Sequence, residues 1–181
     1  MTAEDAHAGA DASSPAASTA AWQDPRTAHG PDAPAPPEPG AAGVVRRDAL
    51  PHIAYAPAHP APGEEGWLAG SGRNRTRWAV GPQGEGPARA LGLRRVRALI
   101  DSHLEPDAAV GLHHHDSVEV YYVLAGTLQV VHERDGTREE ALLQAGDVHV
   151  IAPGEAHAAR AGAAGARFLA LEEAGEAAAA T

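Results

Sequence analysis

From residue 74 to residue 171 the chain is a series of short runs rich in Val, Leu, Ile and Tyr, each closed by a turn signal. The runs fall at 74–80, 96–104, 110–115, 118–124, 127–133, 137–143, 147–152, 157–161 and 166–171. Between them stand Glu105-Pro106-Asp107, Ala125-Gly126, Asp135-Gly136, Ala145-Gly146, Pro153-Gly154 and the stretch from Gly162 to Gly165. Asp-Gly between alternating runs favours a tight hairpin, because both central residues tolerate the left-handed backbone such turns need. Breakers at this interval leave no room for a long helix. Many short strands at a spacing of about ten residues predict an all-β sandwich or barrel.

The rest of the chain is of a different kind. Residues 1–43 contain no Val, Ile, Leu or Phe, and their six acids face Arg26 alone, a local charge of 1 − 6 = −5. Such a segment buries too little apolar surface to offset its ordering entropy, so a disordered N-terminal tail is expected. Residues 44–90 read as an arm and first strands, with anchors at Ile53, Tyr55, Trp67 and Leu68; residues 91–172 form the barrel and residues 173–181 a second disordered tail. The absence of Cys and Lys excludes disulfides, thiolate metal sites and Schiff-base chemistry. A net charge of −10 argues against nucleic acid and anionic membrane surfaces as partners. No apolar run is long enough to span a bilayer and no basic leader precedes an apolar stretch, so a cytoplasmic protein is expected.

The chemistry concentrates in Gly111-Leu-His-His-His-Asp-Ser-Val-Glu-Val-Tyr-Tyr-Val-Leu-Ala-Gly126. On a strand, residues two apart share a face. His113 and His115 therefore point together, and Glu119 has the same parity if the strand continues. His114 points away. Two imidazoles and a carboxylate on one face suit a divalent transition metal. Further on, Gly146-Asp-Val-His-Val-Ile-Ala-Pro-Gly-Glu-Ala-His157 places another histidine just after a tight turn. A barrel that sets these strands side by side completes a site of three histidines and one glutamate.

These two segments resemble the motifs of the cupin superfamily. The first is His-x-His, then Glu, then Gly, met here by His113, His115, Glu119 and Gly126. The second runs from Gly through Pro-x-Gly to His, met by Gly146, Gly154 and His157. Three positions depart: Asp107 stands where a Gly is usual, Ala152 where the first Pro is, and Ala161 where an Asn often follows the last His. The resemblance implies a double-stranded β-helix, or jelly-roll barrel. It also implies one divalent ion (Fe, Mn, Ni or Zn) held by His113, His115, Glu119 and His157, with up to two coordination positions left open. Open positions make a site catalytic in kind. The function expected is a metalloenzyme of dioxygenase, isomerase, lyase or cyclase type acting on a small oxygenated metabolite, in a homodimer. The competing reading is a non-catalytic barrel that binds or senses a small molecule.

Other residues invite functional readings. Tyr121 shares the parity of Glu119, and His149 lies on the strand before the second motif; these two are the candidate catalytic groups. His103 and His132 read as surface residues. Arg73, Arg75 and Arg77 alternate on one face and read as a charged edge strand, with a clamp for an anionic substrate as the competing reading. Trp67 and Trp78 read as a pair covering a barrel mouth or a dimer contact.

Overall fold

A computed structural model describes residues 46–50, 52–59, 67–81 and 95–173. Of the tails expected at 1–43 and 173–181, residue Glu173 ends a strand and the rest lies outside the described residues, as does the stretch 82–94. After a short 3-10 turn at Arg47–Ala49, the strands are β1 His52–Tyr55, β2 Asn74–Val80, β3 Val96–Leu104, β4 Ala109–His113, β5 Glu119–Arg134, β6 Thr137–Gln144, β7 Val148–Ile151 and β8 Ala156–Glu173. Apart from that turn, no helix occurs among the described residues.

All strand pairs are antiparallel, and their register resolves the sheet into two leaves that share β5 and β8. One leaf runs β1-β2-β3, then residues 166–173 of β8, then the first half of β5, then β7. The other runs β4, the first half of β8, the second half of β5, then β6. The sequence predicts breaks at Ala125-Gly126 and at Gly162 to Gly165, but the chain passes through both without leaving the sheet. Gly126 (φ 74°) and Gly165 (φ 79°) lie in the left-handed region where the β5–β8 register shifts. A Cβ on Gly126 would sit 2.0 Å from the Gly165 carbonyl oxygen. The glycines therefore act as bulges that turn two paired strands together from one leaf into the other.

Between the leaves lies the core: Leu104, Val123, Leu128, Val130, Ile151 and Phe168 are almost fully buried. Each contributes about 1.5–3 kcal/mol relative to exposure. A smaller cluster forms outside it, where Trp67 and Leu68 cover Val131 and Ala158, and the Arg138 guanidinium stacks 4.3 Å over Trp67. Trp78 packs instead against the main core, so the two tryptophans do not form a pair. The anchors Ile53 and Tyr55 belong to a strand the sequence reading left as arm: β1 pairs with β2 and is the edge of its leaf. Arg75 and its neighbours are consequently not on an edge strand. They alternate with the buried Asn74 and Thr76 on an interior strand, and Arg75 pairs with Glu105 at 2.7 Å. Asp107 takes the left-handed backbone (φ 60°) that explains why glycine is usual there. Its carboxylate accepts from Ser71 Oγ at 2.7 Å and from Arg160 at 2.8 Å, tying the arm to β8.

Candidate metal centre

The four predicted ligands converge, though not by strand parity. His113 ends β4, His115 lies in the loop 114–118, and Glu119 opens β5, so the strand does not continue between them. The loop turns because the His115 ring folds back, its Nδ1 donating to the Ser117 carbonyl at 3.0 Å. Arg97 holds the loop from outside, with Nη1 2.7 Å from Asp116 and Nε 3.5 Å from Glu172 on β8. His114 is exposed. His157 enters from β8 directly opposite His113. The turn before it is fixed by Glu155, whose buried carboxylate accepts from the Ala152 N–H at 2.8 Å and from Arg134. Gly154 N–H donates to the His115 carbonyl at 2.8 Å, so the two motif-bearing turns are joined to each other.

One ligand atom from each of His113, His115, Glu119 and His157 lies within 4.8 Å of the others. Glu119 Oε2 is 3.1 Å from Nε2 of both His115 and His157. All three rings are oriented from behind: Nδ1 of His113, His115 and His157 lies 2.8, 3.0 and 3.0 Å from the carbonyls of Gly111, Ser117 and Glu155. A carbonyl only accepts, so each Nδ1 carries the proton and each neutral ring turns a bare Nε2 inward. Bare nitrogens around a carboxylate repel unless a cation or an extra proton lies among them. This donor set, with its backbone-fixed tautomers, fits a divalent metal.

The electrostatics follow from burial and contact. Burial drives the His113 pKa down to about 3, with the neighbouring His157 adding to the effect. Burial also opposes charge on His115, but the hydrogen bond and charge of Glu119 outweigh it and raise its pKa. Burial raises the Glu119 carboxyl, yet the His115 and His157 contacts overcome that and hold it well below the usual range. Glu172, opposite Glu119 across β5–β8, is raised by burial and by the Glu119 charge.

Tyr121 is buried, packed 4.7 Å from Phe168, with its ring 6.2 Å from the rings of both His149 and His157. Burial and then Glu119 hold its phenol protonated. His149 sits opposite Tyr121 on β7, and burial followed by the nearby His132 brings its pKa down to about 4. His132, read from sequence as a surface residue, is half-buried and bonded to His149. Sequence reasoning also missed Glu172 and Glu139. Only their registers across the sheet bring them to the site, and no local spacing encodes those.

Two leaves sharing bent strands, closed around an inward His/Glu cluster, define a jelly-roll β-barrel. Residues 101–172 match the family model described as the cupin domain, the family whose two motifs this sequence resembles. No curated protein matches the chain. Among solved structures it resembles Bacillus subtilis oxalate decarboxylase, studied for the EPR fine structure of its Mn(II) centres, at 23% identity over 58% of this chain and TM-score 0.48. The same enzyme at pH 4.6 gives 23% identity over 57% of this chain and TM-score 0.48. One of its mutants gives 19% identity over 68% of this chain and TM-score 0.48. The chain spans only 26%, 25% and 30% of those three proteins. No helix of the described residues is long and apolar enough to cross a membrane.

Proposed function

We propose that this protein is a metal-dependent cupin enzyme that holds one divalent ion with His113, His115, Glu119 and His157 and acts on a small oxygenated molecule. The observation that carries this reading is the set of three Nδ1-anchored imidazoles with bare Nε2 atoms turned towards one buried carboxylate. Nitrogen and oxygen donors of this kind suit iron, manganese, nickel or zinc. Bound there, the ion supplies Lewis acidity or oxygen activation. The chain's own residues supply the rest. Gly111, Ser117 and Glu155 carbonyls orient the ligand rings. Tyr121 offers a phenolic O–H beside Glu119, and His149, neutral at physiological pH, is the candidate base.

The test is elemental analysis of untagged protein purified without added metal, beside a His113→Ala/His157→Ala variant. About one transition metal per chain, lost in the variant, supports the reading, and its identity narrows the chemistry. Protein that stays empty when offered each ion refutes it and leaves a barrel that binds a small molecule unaided.

A homodimer belongs to the same proposal. The outer face of the first leaf carries Val148, Val150, Tyr122, Leu124 and Leu171, with exposures of 54, 56, 44, 36 and 38%. They adjoin across β7, β5 and β8: Tyr122 pairs with Val148, and Val120 with both Val150 and Leu171. An exposed apolar patch of this kind can meet its own copy about a two-fold axis, as the core of an interface that needs about 800 Å² per partner.

A further inference from the structure

On the inner face of the second leaf the register sets four polar residues in a row across neighbouring strands. His113 of β4 faces His157 of β8, His157 faces His132 of β5, and His132 faces Glu139 of β6. The first two belong to the metal centre. The last two lead to β7, because His132 Nδ1 lies 3.0 Å from His149 Nε2, with the rings stacked at 5.2 Å and 17°. His132 Nε2 lies 3.1 Å from Glu139 Oε2, on a side chain that is 70% exposed.

The hydrogen-bond roles along this chain follow from its end. A carboxylate only accepts, so the His132 nitrogen facing Glu139 carries the proton. A neutral His132 then has a bare Nδ1, which accepts from His149, and His149 must carry its proton on Nε2. What remains is His149 Nδ1, bare. That atom is buried and has no hydrogen-bond partner among the described residues, an arrangement that costs about 1–3 kcal/mol if nothing ever fills it. Folding alone gives no reason for this cost.

We propose that Glu139 and His132 are positioning residues that fix the tautomer of His149, so that His149 presents Nδ1 inside the barrel as a bare acceptor. A group set against this atom must bring an O–H or N–H, and His149 can take that proton without first losing one of its own. The inference deepens the reading of His149 as the candidate base, but the tautomer itself does not depend on a metal being bound. Burial of His149 supports it by keeping the ring neutral.

The experiment is long-range 1H–15N correlation NMR on metal-free, 15N-histidine-labelled protein, which separates protonated from bare ring nitrogens. The expected wild-type result is His149 protonated on Nε2 and bare on Nδ1. In His132→Phe, which removes the acceptor, the Nδ1-protonated form of His149 should grow at least severalfold. Glu139→Ala, at an exposed site where folding is not at risk, should give the same direction of change. Glu139→Gln keeps an acceptor oxygen and should restore the wild-type signature. Wild-type His149 protonated on Nδ1, or a signature unmoved in both His132→Phe and Glu139→Ala, overturns the proposal. Failure of the metal analysis with this signature intact would overturn the metalloenzyme reading alone.

Discussion

Glu119→Gln should reverse the order of stability of two proteins according to whether metal is present. With metal removed, Glu119 Oε2 lies 3.1 Å from Nε2 of His115 and His157, while Nδ1 of each ring is committed to a backbone carbonyl. Neutral rings then set lone pairs against a carboxylate. The pocket relieves this by protonating His115, whose folded pKa is raised despite burial because Glu119 bonds to it. With a folded pKa above 6.5, that relief is complete below about pH 6.5 and fades as pH rises through the folded value. A glutamine of the same shape brings an NH2 group that donates to both bare nitrogens at any pH. At about 1 kcal/mol per neutral hydrogen bond, the metal-free variant gains about 2 kcal/mol once pH has risen past the raised folded value of His115. That corresponds to a Tm about 8–16 °C above wild type for a domain of this size.

Metal inverts this. At a free ion concentration of 100 Kd, wild type gains about 2.7 kcal/mol, or about 10–20 °C. A variant weakened about a hundredfold by loss of its anionic ligand gains only about 0.4 kcal/mol at the same concentration. Thermal melts at pH 8 with chelator, then with Zn²⁺, Mn²⁺, Ni²⁺ or Fe²⁺ under nitrogen, read both effects. A variant less stable than wild type in chelator would refute the tautomer argument. Equal stabilisation of both proteins by metal would refute Glu119 as a ligand.

Three further outcomes are expected. Gly165→Ala places a side chain at φ 79° with its Cβ 2.7 Å from the Leu104 carbonyl oxygen; it should cost more than about 3 kcal/mol in urea denaturation, and a loss below about 1 kcal/mol would refute the shared-bulge account of the two leaves. The folded pKa values of His113 and His149, about 3 and about 4, lie below the ordinary 6.5, so their contribution is intact above about pH 6.5 and lost as pH falls through those values. Metal-free protein should therefore weaken on acidification, by at most about 1.4 kcal/mol per histidine per pH unit; denaturation midpoints that stay flat from pH 7 to pH 4.5 would count against it. Val150→Arg, at a side chain 56% exposed on the apolar face, should convert the proposed dimer to monomer in light scattering without lowering metal content, whereas a dimeric wild type with a variant of unchanged mass would show that the contact lies elsewhere.

What could be read in advance was what the local pattern encodes. The four candidate ligands were legible because His-x-His, the Glu four residues on and the His after Pro-Gly are fixed by short turns, and turns are local chemistry. The route by which they meet was not legible. Parity put Glu119 on the face of His113 and His115 only if the strand continued, but the backbone leaves β4 at His113 and re-enters the sheet at Glu119, with His115 aimed by a hydrogen bond to Ser117. The same limit explains Gly126 and Gly165. A glycine beside small residues reads as a turn from either strand alone, and only their mutual approach across β5 and β8 makes the pair a bulge.

Register is the other information that sequence withholds. His132 lies on an exposed-looking stretch between Val131 and Glu133, and nothing near it says that His157 stands on one side and Glu139 on the other. Yet this non-local row ties the interior of the barrel to its charged rim. The candidate metal ligands could be carried by almost any sequence that keeps two short motifs. The groups that decide which proton moves, and in which direction, are set by how two long bent strands slide past each other. In this chain that register is held by a pair of glycines at the bend, which touch none of the residues whose protons it governs yet set where those residues meet.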